Sequence, residues 1–224
     1  MDSKPSIKEN LFRSLFLRDY RDTINLLMRD CESLLDVGCG DNSPVQFISN
    51  IPHKIGVDIF QPALKESARK QIHNEYVQSD VLSLTDHFKE GAADCSLASE
   101  LIEHLEKEDG FELLKQMEYV SRKKVIITTP VGFLPQSATK DNPWQLHRSG
   151  WTPAEMHELG YKVIGFNGAK FIWNIKFLWE KRDNAALLIK VIRKLLLIAT
   201  DLFTRRNPKY AFQMICVKEI QTAQ

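Results

Sequence analysis

Two carboxylates and two imidazoles in this chain are spaced so that they could act together. Glu100, Glu103 and His104 fall within the strip Ser99-Glu100-Leu101-Ile102-Glu103-His104-Leu105. His147 follows on a polar, aromatic and basic stretch, Asp141-Asn142-Pro143-Trp144-Gln145-Leu146-His147-Arg148-Ser149-Gly150-Trp151-Thr152. If a helix opens at 100, Glu100, Glu103 and His104 share one face at i, i+3 and i+4. Such a set can take a proton from a hydroxyl. His147 is the first choice as base, because an imidazole titrates near neutrality. The set can also hold a divalent cation through carboxylate oxygens and ring nitrogens. The same strip equally suits a local network, with His104 in a structural bond. Trp144 and Trp151 can stack on a ring of a ligand or pack the loop onto the domain.

A second constellation lies upstream. The run Ser33-Leu34-Leu35-Asp36-Val37-Gly38-Cys39-Gly40-Asp41 takes an apolar strand into two glycines spaced G-x-G, and Gly56-Val57-Asp58-Ile59 ends the next strand on an acid. Glycines there let backbone approach a ligand that a Cβ would block. The acid can accept hydrogen bonds from both hydroxyls of a ribose. A dinucleotide fingerprint needs a third glycine three residues after Gly40, where Ser43 stands. Asp36, just before the glycines, would meet the charge of a pyrophosphate, but it suits a cationic ligand end such as an aminoacyl ammonium.

These groups need strands and helices to position them. Strands are expected at about 33–37, 54–58, within 75–81 together with the turn that follows, and at 93–99, 124–130, 161–166 and 211–219. Helices are expected at about 44–50, 62–71 and 107–120, and from Pro153, where Thr152 and Glu155 form a capping signature. The alternation predicts an α/β fold: a doubly wound, Rossmann-like, seven-stranded and mostly parallel sheet with helices on both faces. Ligands of such sheets lie at the carboxyl ends of the strands, where every motif named here falls. The loop from 131 to Gly150 is long for such a domain, and long ordered loops are often functional.

The chain of 224 residues reads as a single domain over 1–224, with a helical segment over 1–30 and a helical insertion over 167–208. A net charge of +1 gives no strong global field for nucleic acid or membrane. Cys31, Cys39, Cys95 and Cys216 are scattered, which suits a reducing compartment and offers neither a disulfide framework nor a thiolate zinc site. The N-terminus lacks the apolar core of a signal peptide, so a cytoplasmic protein is expected.

D-x-G-x-G followed by an acid closing the next strand resembles motifs I and II of the class I S-adenosylmethionine (SAM) methyltransferases, of the type 11/12 kind. The resemblance covers about 30–166 and the last strand. It implies that Asp36, Gly38, Cys39 and Gly40 face the methionine part of SAM. It implies too that Asp58 binds the ribose with Ile59 against the adenine, and that Asp80 and Val81 meet the adenine edge. Asp80 equally reads as a helix N-cap. E-x-x-E-H resembles the ubiquinone-biosynthesis O-methyltransferases, which implies a small hydroxyl acceptor: a sugar, a phenol or a lipid-linked compound. The small-RNA 2′-O-methyltransferases show a similar strip with a later histidine. That second resemblance implies a divalent metal on Glu100, Glu103, His104 and His147. A non-catalytic SAM-binding protein is the remaining reading.

Residues 185–203 are almost wholly aliphatic, broken by Lys190, Arg193 and Lys194. Three central charges oppose a spanning helix. The pattern suits a helix lying in a membrane interface over 185–206, and equally a helix covering the sheet or a dimer contact with snorkelling lysines. Phe171, Trp173, Phe177 and Trp179 add aromatic groups just upstream.

Overall fold

Apolar runs bounded by turn residues become the strands of one twisted sheet. The computed structural model describes residues 20–138, 142–175 and 186–220. Strands β1 (Ser33–Val37), β2 (His53–Asp58), β3 (Glu75–Gln78), β4 (Ala93–Ser99) and β5 (Ser121–Pro130) are mutually parallel; β6 (Lys162–Ala169) and β7 (Ala211–Glu219) complete the sheet. The order across it is β3-β2-β1-β4-β5-β7-β6, with β7 antiparallel to both neighbours. The seven-stranded, mostly parallel architecture expected from the alternation is therefore the one formed. Strand β7 enters antiparallel because the chain returns from β6 on the side where β5 ends, so that Pro130 pairs Gln213.

Alternate residues of the central strands supply two cores, as period-two side-chain direction requires. Leu34, Leu97, Ile126 and Ile215 pack with Ile24 of α1 (Tyr20–Leu27) and with Met28 just after it. Leu35, Val37, Val125 and Ile127 pack on the other face. There they meet Leu113, Met117 and Val120 of α4 (Lys107–Val120). Helices α2 (Gln61–Arg69), α3 (Leu84–His87) and α5 (Pro153–Glu158) fill the remaining connections. The capping box at Thr152 and Glu155 forms as read: the threonine hydroxyl accepts from the Glu155 N–H, and the glutamate accepts from the Thr152 N–H.

Two elements differ from expectation. The segment after Ser43 makes only a 3-10 turn, Pro44–Phe47, because its helical hydrogen bonding ends at Ile48. The insertion expected from 167 begins later. Asn167 and Gly168 take left-handed backbone, with φ of 66° and 71°, and form a bulge after which Ala169 pairs Ala211. Beyond it lie α6 (Lys170–Trp173) and the long α7 (Ala186–Arg206). Most of the expected N-terminal helical segment, including Ile7, Leu11 and Leu15, lies outside the described residues, as do Asp141, Phe177 and Trp179.

Helix α7 lies so close on β6 that Gly165 has no room for a side chain. A Cβ there would stand 2.2 Å from the Thr204 carbonyl oxygen and 2.9 Å from the Pro208 Cα. Both obstacles are backbone, so Gly165→Ala is expected to destabilise the fold by about 1–3 kcal/mol. Urea unfolding should show a lower midpoint with an unchanged slope; an unaltered midpoint would contradict this packing.

Candidate active site

A cavity of about 490 Å3 opens at the carboxyl ends of β1, β2, β3 and β4. That is the size of a small-molecule pocket. Gly38 and Gly40 line one side, both left-handed, with φ of 66° and 57°. A Cβ on Gly40 would meet no protein atom within 4 Å, so it would project into open cavity. Here the missing side chain is space kept for a ligand.

Asp58 lines the same wall and organises it. Its two carboxylate oxygens accept from the Gly40 N–H and the Phe60 N–H, each at 2.8 Å. The carboxylate thereby ties the glycine turn to β2, and its further lone pairs can take hydroxyls. Burial pushes its pKa above the usual carboxylate range. Ile59 stands beside it, and Asp80 and Val81 line the far end. Asp80 is also an N-cap, with Oδ1 accepting from the Leu82 N–H at 2.9 Å.

Asp36 and Cys39 are placed differently from the expectation that they face a ligand. Asp36 is 1% exposed, with Oδ2 2.8 Å from Nε2 of the buried His73. Cys39 turns into the core beside Gly56, and its N–H donates to the Val57 carbonyl. Neither lines the cavity. The physical reason lies in their surroundings: Asp36 is held inside the sheet by the His73 ring, and beyond β1 the left-handed backbone at Gly38 and Gly40 turns Cys39 inward beside Gly56. Gly56 leaves the space they fill, since a Cβ there would stand 2.9 Å from His73 Nδ1 and 3.0 Å from Cys39 Sγ.

Glu103, His104 and His147 converge near the cavity. One ligating atom from each lies within 4.8 Å of the others. The two imidazole rings meet edge to face, with centroids 4.7 Å apart. Backbone carbonyls orient both rings. His104 Nδ1 lies 3.2 Å from Leu146 O, and His147 Nδ1 lies 2.6 Å from Leu134 O. Carbonyls only accept, so each Nδ1 carries a proton and each Nε2 is left to face other partners. Glu103 is 2% exposed. Its Oε2 accepts from the Thr129 hydroxyl at 2.9 Å, while its Oε1 is buried without a partner. An orphaned carboxylate oxygen in the interior is costly unless something is meant to meet it. Burial, and then the nearby Glu100 carboxylate, push the Glu103 pKa up to about 8. Burial pushes His104 down, which keeps its ring neutral.

Glu100 stands apart from this cluster, contrary to the expected shared helical face. No α-helix opens at 100. Glu100 itself is left-handed, with φ of 51°, and only a 3-10 turn, Ile102–His104, follows. Glu100 lines the cavity, and its carboxylate accepts from Gln213 Nε2 at 2.6 Å and Thr128 Oγ1 at 3.2 Å. Burial raises its pKa as well.

The long loop reaches the cluster because several bonds hold it there. Arg148 N–H and Ser149 N–H both donate to the Glu103 carbonyl, and Ser149 Oγ–H donates to the Ile102 carbonyl. Lys107 Nζ donates to the Gly150 carbonyl and lies 3.5 Å from the centroid of the Trp151 ring. Trp151 is fully buried and belongs to the core, whereas Trp144 is 49% exposed and lines the cavity together with Arg148. Thr128, Thr129 and Gln213, which hold the two glutamates, were not singled out by sequence reasoning. Gln213 lies 113 residues from Glu100 along the chain, and no local signal joins them.

Residues 35–128 match the family described as a methyltransferase domain. No curated protein matches the chain. Among solved structures, the chain resembles a SAM-dependent methyltransferase from Archaeoglobus fulgidus, 20% identical with a TM-score of 0.54 over 94% of this chain and 98% of that one. It also resembles magnesium protoporphyrin IX methyltransferase from Synechocystis PCC 6803 with bound SAM, 12% identical with a TM-score of 0.52 over 99% and 87%. A third is the methyltransferase domain of bacterial CtHen1, 15% identical with a TM-score of 0.53 over 90% and 97%. At these identities the likeness is one of fold.

Proposed function

We propose that the chain is a SAM-dependent methyltransferase, a reading supported by the domain match over residues 35–128, that it methylates a hydroxyl oxygen, and that Glu103, His104 and His147 meet that hydroxyl. The observation that carries this reading is the convergence of the three groups near the SAM cavity, with Glu103 Oε1 unpartnered. SAM supplies a methyl group already activated by its sulfonium. The protein's part is alignment and removal of the hydroxyl proton. Gly40 leaves space for the cofactor, Asp58 takes its ribose hydroxyls, and Ile59, Asp80 and Val81 border its adenine. Asp36 and His73 support the strand under the glycine turn.

Two uses of the cluster follow from its chemistry. His147 Nε2 can accept the hydroxyl proton directly. Alternatively Glu103, His104 and His147 would hold a divalent cation, whose charge would make the acceptor hydroxyl easier to deprotonate. The donor set fits such an ion: one carboxylate oxygen awaiting a partner and two nitrogens oriented by carbonyls. Glu100 serves by holding Gln213 and Thr128 beside the cavity rather than as a fourth ligand. The acceptor in this reading is a small or lipid-linked hydroxyl compound, because the chain's net charge of +1 gives little attraction for a polyanion. Methylation of an RNA ribose is the second reading. It is favoured by the pairing of Glu103 and His104 with a later histidine.

Labelled methyl transfer from SAM tests these readings on purified protein, against phenols, sugars, prenyl-linked alcohols and small RNA, with and without chelator. Transfer to an alcohol or phenol is expected. RNA as the sole acceptor would replace the first reading by the second. Loss of transfer in chelator, restored by manganese, would select the cation over the direct base. Calorimetry with S-adenosylhomocysteine should give a dissociation constant in the micromolar range; no binding would remove the premise.

A further inference from the structure

Helix α7 is built with its apolar side outward. Its inner side packs on β6 through Ile189, Leu197, Thr200 and Thr204, where Thr200 Oγ1 accepts from the Ala169 N–H. On a helical projection Arg193, Lys194, Asp201 and Arg205 fall on or beside that inner side. The opposite arc, about two fifths of the circumference, holds Val191, Ile192, Leu195, Leu196, Leu202 and Phe203, with Arg206 at its C-terminal end. These six are 39–61% exposed. An ordinary surface helix does the reverse, turning its apolar stripe to the core. Aliphatic side chains contiguous on this scale mark a contact surface.

The charge around the arc indicates its partner. Residues 186–210 contain six basic residues and one acid, a net +5 in a chain whose total is +1. The single acid, Asp201, is bonded to Arg205 at 2.6 Å. Lys194, Arg206 and Lys209 are exposed around the arc. At its C-terminal end Phe203 stacks on Tyr210 with centroids 5.6 Å apart, and Lys209 Nζ lies 4.8 Å from the Tyr210 ring. Aliphatic groups on one arc, with aromatic and basic groups at its border, are what a helix needs to lie at the headgroup level of an anionic bilayer. Among the described residues no helix is long and apolar enough to cross a membrane. A second copy of the chain would bring like charge against like charge along the same border.

We propose that the outward arc of α7, with Lys194, Arg206, Lys209 and Tyr210 at its edge, docks the protein onto an anionic membrane surface. The helix lies in the plane of the interface, Lys194, Arg206 and Lys209 reach the headgroups, and β6 stays covered by the inner side. The methyl-transfer site keeps its own geometry, so docking and cofactor binding are separable.

The test is flotation of the full chain with vesicles of phosphatidylcholine, with and without phosphatidylserine. Binding is expected to be at least tenfold stronger with phosphatidylserine and to weaken as salt rises. The double variant Leu195→Glu, Leu202→Glu should lose vesicle binding at least tenfold while keeping its circular dichroism and its affinity for S-adenosylhomocysteine. The triple variant Lys194→Glu, Arg206→Glu, Lys209→Glu should lose the preference for phosphatidylserine. Equal binding to both vesicles would overturn the anionic surface. Vesicle binding unchanged in the double variant would overturn the arc. No vesicle binding together with a dimer by sedimentation, dispersed by the same double variant, would assign the arc to a second copy and overturn the proposal.

Discussion

Glu103→Gln is expected to remove methyl transfer while making the protein more stable. The loss of activity should be about 100-fold or more, the range in which a positioned base or a metal ligand contributes. Glutamine keeps the shape and the Thr129 bond but offers neither a charge nor a strong ligand oxygen. The gain in stability follows from the raised pKa. An unfolded glutamate releases its proton near the ordinary value of 4.5, while the folded one holds it to about 8. Between those two values the folded state binds more protons than the unfolded state, so stability falls as pH rises. Below that window the group contributes nothing, and above it the destabilisation is complete. The glutamine does not titrate. In chelator the variant should therefore melt close to the wild type at pH 4.5 and above it at pH 8, by about 2–4 °C for each kcal/mol relieved. Parallel melting curves across that window would refute the strain assigned to the buried carboxylate. A divalent cation should reverse the comparison, since it displaces the proton and stabilises only the wild type. Its apparent affinity should rise with pH and level off above about 8.

Gly40→Leu should abolish cofactor binding with modest harm to the fold. No protein atom lies within 4 Å of the position a Cβ would take, so the new side chain fills cavity and displaces no core residue. The left-handed backbone costs about 1–2 kcal/mol when the residue has a Cβ. Affinity for S-adenosylhomocysteine should fall about 100-fold or more by calorimetry, because the leucine occupies the volume of the ligand. Asp80→Ala gives the comparison: it removes one N-cap bond at the cavity end, and a loss of about tenfold or less is expected. If Gly40→Leu bound as tightly as the wild type, the cavity would have to be assigned to another ligand.

The strands were legible because β1, β4 and β5 are continuous apolar runs ending in turn residues, and burial on both faces selects such runs. The cluster was legible in part. Residue types and order brought Glu103, His104 and His147 to attention, and the structure joins all three. Glu100 was misplaced because its left-handed backbone carries no sequence signature; glycine or asparagine would have announced it. Asp36 looked like a ligand group because its spacing before the glycines is local, whereas its partner His73 is 37 residues away. Helix α7 showed a narrow polar side from composition. Which side meets the sheet depends on Gly165 and Gly168, whose missing side chains let α7 approach, and no helical periodicity encodes that.

Both Arg148 and Ser149 donate their amides to the Glu103 carbonyl. The residue whose side chain faces the two histidines thus anchors the long loop through its main chain. In heavy water these two amides should exchange slowly among faster loop neighbours, as a local clock for the assembled site. Their rates would report whether a bound acceptor or ion tightens the strap, independently of any turnover.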